Sequence, residues 1–220
     1  MEKKESADKL FSDLKPPSGN KLREFLLSIL KFIIGVSLLP IVYAASICFA
    51  QELIKLEPQV VRSFIWGIMG FLGLYLFVWE PVILFKKGQR ILEFIFRFFA
   101  PLVKIAPFVL PIYTLLFCAA YLICLQFADM PGYIPVFIFS IGFSLALHLV
   151  FCSKTLRSKQ GDSLKAGYIF GFAWIYILDA LFLGLFFNLA FEKFSFLTFF
   201  NGSYQISKNI YAAVFHQLFL

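Results

Sequence analysis

Asp179 is the residue of this chain whose chemistry is hardest to reconcile with its surroundings. It lies at the centre of the apolar run WIYILDALFLGLFF, residues 174–187. An ionised acid at the middle of a bilayer costs roughly 2.5–3.5 kcal/mol, so such a residue is expected to be neutral, paired or facing water. Ala173, Ala180 and Gly184 lie on the same predicted helix, and small residues let helices approach closely. We therefore expect Asp179 to border a contact between helices.

A second set of polar side chains recurs at four-residue steps in the preceding apolar run. The set comprises Ser140, Ser144, His148 and Cys152. Residues four apart share one face of a helix, so these side chains form a nearly continuous polar stripe. Counted by helix rise from the cytoplasmic end, Ser140 is predicted at the depth of Asp179 and His148 near that end.

Glu80, in the segment WEPV, is predicted at the same shallow depth as His148. Glu80, His148 and Asp179 would then descend from the cytoplasm to the middle of the membrane. For Asp179 the alternatives are a structural hydrogen bond, within the chain or to a partner subunit, a role in proton or ion movement, and contact with a substrate. For Glu80 the alternative is an acid at the membrane interface, and for His148 it is an interfacial histidine. For the serines the alternative is ordinary packing within helices.

The composition indicates which elements carry these side chains. Hydrophobic residues make up 60% of the 220 residues and charged residues only 15%, and 31 residues are phenylalanine. Globular proteins average about 45–50% apolar and about 25% charged residues. A chain with this composition is expected to be dissolved in lipid. The formal charge of +7 does not indicate nucleic-acid binding, because the basic residues lie in short loops between apolar runs.

We predict an all-α polytopic integral membrane protein with five transmembrane helices and two amphipathic helices in the membrane plane. A span needs about 20 apolar residues. A polar leader at 1–24 precedes the membrane domain at 25–191. Five runs qualify as spans, at about 32–51, 64–85, 105–125, 133–152 and 168–191.

The distribution of basic residues predicts the orientation of the spans. Most of the 20 Lys and Arg residues lie in segments 1–31, 86–104 and 153–167, which alternate with poorly charged loops. Because cytoplasmic loops are enriched in Lys and Arg, the N-terminus is predicted in the cytoplasm and the C-terminus outside. A bacterial inner membrane is the default location.

Two segments outside the spans are predicted to lie in the membrane plane. In the helix 89–104 a narrow polar stripe opposes an otherwise apolar surface, as in interfacial helices. The segment 192–220 is predicted as an extracytoplasmic amphipathic tail, or as a helix that docks on a partner. The polar stripe of the first helix consists of Arg90, Glu93, Arg97 and Lys104.

Familiar catalytic and metal-binding motifs are missing from the sequence. The four cysteines form no Cys-x-x-Cys pair, and the two histidines, His148 and His216, are predicted on opposite sides of the membrane. There is no His-Glu-x-x-His pair, no phosphate loop and no Gly-x-Ser-x-Gly elbow. We expect no metal and no cofactor.

The leading functional hypothesis is a non-catalytic subunit or scaffold of a larger membrane assembly, whose partners are the lipid bilayer and other membrane subunits. One alternative is a small transporter or channel component with Asp179 as its protonatable centre. Another is a lipid-modifying enzyme that uses Glu80, His148 or the 89–104 stripe.

Overall fold

The computed structural model describes residues 19–77, 82–95, 97, 109–127, 131–158 and 166–219. Within these residues the chain is helical and contains no strand, so the predicted all-α class is confirmed. One 3-10 turn, Pro131–Tyr133, precedes the fifth helix. The helices are α1 (Gly19–Ile54), α2 (Pro58–Phe77), α3 (Val82–Ile95), α4 (Ile112–Phe127), α5 (Ile134–Ser158), α6 (Ala166–Ala190) and α7 (Phe196–Phe219).

Four of these helices are long and apolar enough to cross a membrane, judged by length and composition. They overlap four of the five predicted spans, which fits an integral membrane protein. The four stretches are Arg23–Ile54, Pro58–Phe77, Ile134–Arg157 and Gly167–Ala190.

Two predicted spans differ from the helices that the structure contains. The span predicted at 64–85 corresponds to α2, which begins at Pro58 and ends at Phe77. The span predicted at 105–125 corresponds to α4, which has 16 residues. Sixteen residues rise about 24 Å, less than the roughly 30 Å of a hydrocarbon core. Residues 101–108 lie outside the described part of the chain, which therefore shows four long apolar helices and one shorter one.

α2 and α5 cross with their backbones in direct contact. A Cβ added at Gly67 would overlap the carbonyl oxygen of Phe139, and one added at Gly142 would overlap that of Phe64. Small residues let helices in a membrane approach this closely. This crossing holds α5, and with it His148, against α2.

α1 and α6 lie side by side and run in the same direction. Gly35 of α1 contacts the backbone of Phe170, where an added Cβ would lie 2.9 Å from the amide nitrogen. Further along both helices, the Ser46 and Tyr176 hydroxyl oxygens are 2.7 Å apart and share a hydrogen bond. These two contacts set the position of α6, which carries Asp179.

α7 folds back along α1 after a short loop that follows α6. Gly202 packs against the Cys48 sulfur, and the Tyr211 hydroxyl donates a hydrogen bond to the Ser37 carbonyl. α7 therefore runs antiparallel to α1, beside the apolar part of that helix. A helix in the membrane plane would be expected to cross α1 steeply, so the predicted in-plane tail is not confirmed. α7 leads back towards the side on which α1 begins, whereas the sequence predicted the two termini on opposite sides.

Three polar side chains hold the N-terminus of α7 in place. The hydroxyl of Ser195 accepts a hydrogen bond from the Thr198 amide at 3.2 Å, as an N-cap residue does. The Asn188 side chain accepts one from the Phe196 amide at 2.9 Å. The buried carboxylate of Glu52 on α1 accepts one from the Ser195 amide at 3.2 Å. A carboxylate at this end also interacts favourably with the helix dipole.

The Glu52→Ala substitution is expected to loosen α7 from α1, because it removes the carboxylate that ties the two helices together. We expect the packing of α7 on α1 to lose about 1–2 kcal/mol of stability near Glu52. Cys48 lies beneath Gly202 and should react faster with a membrane-permeant maleimide, with the labelled sites identified by mass spectrometry.

Glu192→Ala is the matched control, because Glu192 is an exposed acid in the loop before α7. Labelling of the buried Cys118, which lies on α4, should stay slow in both variants. Equal increases at Cys48 and Cys118 would mean that the whole fold has loosened, and the tethering role of Glu52 would be wrong.

α3 begins seven residues before the start of the predicted in-plane helix 89–104. It packs against α4 and α5 through Phe85, Gly88 and Leu92, which are buried. Residues three and four apart form one helix face, so the charged side chains of α3 point away from the bundle. The predicted stripe residues Arg90, Glu93 and Arg97 are exposed, and Lys104 lies outside the described residues.

Candidate functional site at a buried acid–histidine pair

Asp179 lies in the middle of α6 and is almost completely enclosed by the bundle. Its exposed fraction is 2%. Neither of its carboxylate oxygens has a hydrogen-bond partner among the described residues. A buried polar group without a partner costs free energy, so a carboxyl in this state is an exception that needs an explanation.

His148 is the nearest basic group to Asp179. Its Nε2 atom is 3.7 Å from Asp179 Oδ2, a distance that allows an ion pair but is too long for a hydrogen bond. The ring is also buried, and its Nε2 lies 3.5 Å from the Cys152 sulfur one turn further along α5. An acid and an imidazole at this separation can both be neutral, or can hold opposite charges.

This contact corrects the predicted depth of His148. The sequence placed His148 near the cytoplasmic end of a span that ended at residue 152, whereas α5 continues to Ser158. His148 is therefore in the middle of its helix, level with Asp179. Ser140, which the sequence placed at that depth, lies two turns away and bonds its own helix through the Val136 carbonyl, at 2.8 Å.

A cavity of about 240 Å³ lies on the Asp179 side of the pair, between α1, α2, α5 and α6. Its polar lining consists of Asp179, Ser46 and Tyr176, and the last two are bonded to each other. The rest of the lining is apolar and includes the rings of Phe49 and Phe64. A space of this size with polar groups on its wall has room for several water molecules or a small ligand.

A much smaller cavity, of about 10 Å³, lies on the His148 side, between α3, α4 and α5. Gln89 of α3 lines it, and its buried side-chain nitrogen has no hydrogen-bond partner among the described residues. Ser144 also lines it and is bonded to the buried Thr114 hydroxyl at 3.0 Å. The acid–histidine pair therefore has polar groups on both sides of α5.

Of the predicted intramembrane site residues, the structure brings Asp179, His148 and Ser144 to one region and leaves Ser140 outside it. Glu80 lies outside the described residues. The sequence did not predict that Ser46, Thr114 or Gln89 belongs to this region. A signal was available for Ser46, because it follows two alanines in an apolar run, where small residues favour helix contact.

The described part of the chain contains no group of three or more His, Cys, Asp or Glu side chains that could hold a metal ion. What the pair can do is hold a proton or bind a cation beside the larger cavity. When the chain is compared with known protein families, with characterised proteins and with solved structures, no match is found.

Proposed function

We propose that this protein is a non-catalytic, multi-pass membrane protein that serves as a subunit of a larger membrane assembly, and that it docks through the exposed polar face of α7. The observation that carries this proposal is a polar helix face that points outward beside an apolar helix. That face consists of Asn201, Gln205, Lys208 and Asn209, all exposed.

Most of the polar face of α7 points away from the rest of the protein, and Lys208 at its edge also lines a cavity between α7, α1 and α6. Phe199 and Ser207 are buried, and Gly202 contacts α1. At 100° per residue, the four polar side chains fall within about 100° of one another on the other side. α7 follows the stretch of α1 from Glu52 to Ser37, which is apolar enough to lie in hydrocarbon.

Polar side chains exposed to lipid tails are unfavourable, whereas polar groups on neighbouring helices can hydrogen-bond to one another. Three amides and one lysine on a single face suit a partner helix that offers a carboxylate and further hydrogen-bonding groups. The proposed partner is therefore a transmembrane helix of another subunit with an acid at the level of Lys208.

The proposal places the protein in a bacterial inner membrane with the N-terminus in the cytoplasm, because the basic residues concentrate in segments 1–31, 86–104 and 153–167. It retains five spans, with α4 and the residues before it as the third. Five crossings from a cytoplasmic N-terminus place residue 191 outside, and α7 returns from there along α1, from Glu52 towards Ser37.

A pull-down in mild detergent tests the docking face. The double variant Gln205→Leu with Lys208→Leu should bind the partner at least about tenfold more weakly than wild type, since interhelical polar contacts contribute about 0.6–2 kcal/mol each. Asp179→Asn should recover the partner normally, because Asp179 is buried within this chain.

Arg62→Leu is the matched control, because Arg62 is an exposed basic residue on α2, away from α7. A stoichiometric partner that is lost only from the α7 variant would support the proposal. If wild type comes out alone, or if the partner stays on the α7 variant, docking through α7 is wrong.

A further inference from the structure

Asp179 lies on the wall of a cavity, and no hydrogen-bond donor from the described part of the chain reaches its carboxyl group. Both oxygens are enclosed and without a hydrogen-bond partner among the described residues. Asp179 lines the cavity of about 240 Å³, so a change of its side-chain rotamer would bring the oxygens to that cavity. The buried His148 ring carries a charge only if it is protonated, and a buried charge is costly. A neutral His148 leaves the negative charge of the carboxylate without a counter-charge.

Asp179 is the one charged group on the described wall of this cavity. α1 contributes Ala45, Ser46 and Phe49, α2 contributes Phe64 and Ile68, and α5 contributes Leu145 and Leu149. α6 contributes Tyr176, Ala180 and Leu183 beside Asp179. The described wall therefore holds no lysine or arginine, so an ionised Asp179 would have a counter-charge there only if a cation binds.

The aromatic and hydroxyl groups of the wall indicate what kind of cation fits. The rings of Phe49, Phe64 and Tyr176 line the cavity, and aromatic rings attract organic cations through cation–π interactions. The bonded hydroxyls of Ser46 and Tyr176 retain acceptor capacity for one further N–H group. A bare Ca²⁺ ion requires six to eight oxygen ligands and Mg²⁺ about six, more than one carboxylate and two hydroxyls supply.

From this arrangement we infer that the cavity is a binding site for a small organic cation with a primary ammonium group. The ammonium N–H groups supply the donors that the Asp179 oxygens lack, and the apolar part of the ligand contacts Phe49, Phe64 and Leu183. This inference goes beyond the proposed function, since ligand binding inside the bundle needs no partner subunit.

Equilibrium dialysis of the purified protein in mild detergent, with radiolabelled butylammonium as the probe, measures this binding directly. Wild type should bind about one equivalent per chain. Asp179→Asn should bind at least about tenfold more weakly, because it keeps the shape of the side chain and removes the charge. Unlabelled 1-butanol, which has a similar apolar chain without the charge, should not compete.

Two further variants separate loss of binding from loss of folding. Tyr176→Phe keeps the ring and Asp179 but removes the hydroxyl, so binding should weaken less than in Asp179→Asn. Ala180→Leu fills part of the cavity and should abolish binding while leaving the acid in place. Thermal unfolding without ligand shows whether each variant is folded.

Equal binding by wild type and Asp179→Asn would overturn the inference. So would competition by 1-butanol as strong as that by unlabelled butylammonium, which would mean an apolar cavity only. An absence of binding by folded wild type would overturn it as well, and would indicate that water fills the cavity.

Discussion

The Gly67→Ala substitution is expected to force α2 and α5 apart and to destabilise the fold by about 3 kcal/mol. The added Cβ would overlap the Phe139 carbonyl oxygen and lie 2.9 Å from the Phe143 amide nitrogen. Overpacking typically costs about 1–3 kcal/mol, and both obstructing atoms belong to backbone that no rotamer change can move, so we expect the upper end of that range. A thiol-reactive dye that detects the buried Cys48, Cys118 and Cys152 reports thermal unfolding in mild detergent.

Gly73→Ala provides the matched control on the same helix. A Cβ at Gly73 would have no neighbour within 4 Å, apart from the chain next to it. Because alanine favours a helix over glycine by about 1 kcal/mol, the Tm of this variant should stay the same or rise slightly. If Gly67→Ala and Gly73→Ala change the Tm by the same amount, the close crossing of α2 and α5 is not what limits stability.

The Phe187→Ala substitution should have the largest effect on folding of any single truncation. Phe187 is fully buried, and its ring centroid lies 5.8 Å from that of Phe49, 5.5 Å from Phe64 and 5.6 Å from Phe194. It therefore joins α1, α2, α6 and the loop before α7. Truncation of a buried Phe to Ala costs about 3–5 kcal/mol, and in a bilayer this cost comes from lost packing.

Phe77→Ala makes the same chemical change at a position that is 87% exposed. An exposed side chain in lipid has little internal packing to lose. The free energy of unfolding of this variant should therefore lie within about 0.5 kcal/mol of that of wild type. Thermal unfolding of both proteins in the same detergent gives the comparison. A small effect at Phe187 would show that the aromatic cluster contributes little to stability.

The course of α7 along α1 was not predicted from the sequence. Its polar residues alternate with apolar ones, and such a pattern is also typical of a helix in the membrane plane. In the structure the apolar side and Gly202 pack on α1, while the carboxylate of Glu52 binds the start of the helix. These are contacts between segments more than a hundred residues apart in the chain, which a local periodicity does not specify.

The acid–histidine pair was also predicted only in part from the sequence. The sequence marked Asp179 and His148 as unusual, because each is a polar residue in an apolar run. It placed His148 at the wrong depth, because the apolar run of α5 stops at residue 152 while the helix continues to Ser158. A loss of hydrophobicity marks the edge of a run, whereas backbone hydrogen bonds continue through polar residues until the helix ends.

The sequence by itself determined the helical class, the four long apolar helices and the presence of an enclosed acid. These follow from local hydrophobicity and from the cost of polar groups in lipid, which each segment carries independently of its neighbours. Only the tertiary structure decided that Asp179 faces His148 and a cavity, and that α7 returns along α1 with its polar face outward. Those features depend on how the helices pack against one another, at contacts such as Gly67 on Phe139 and Ser46 on Tyr176, and such packing arises only when the helices meet.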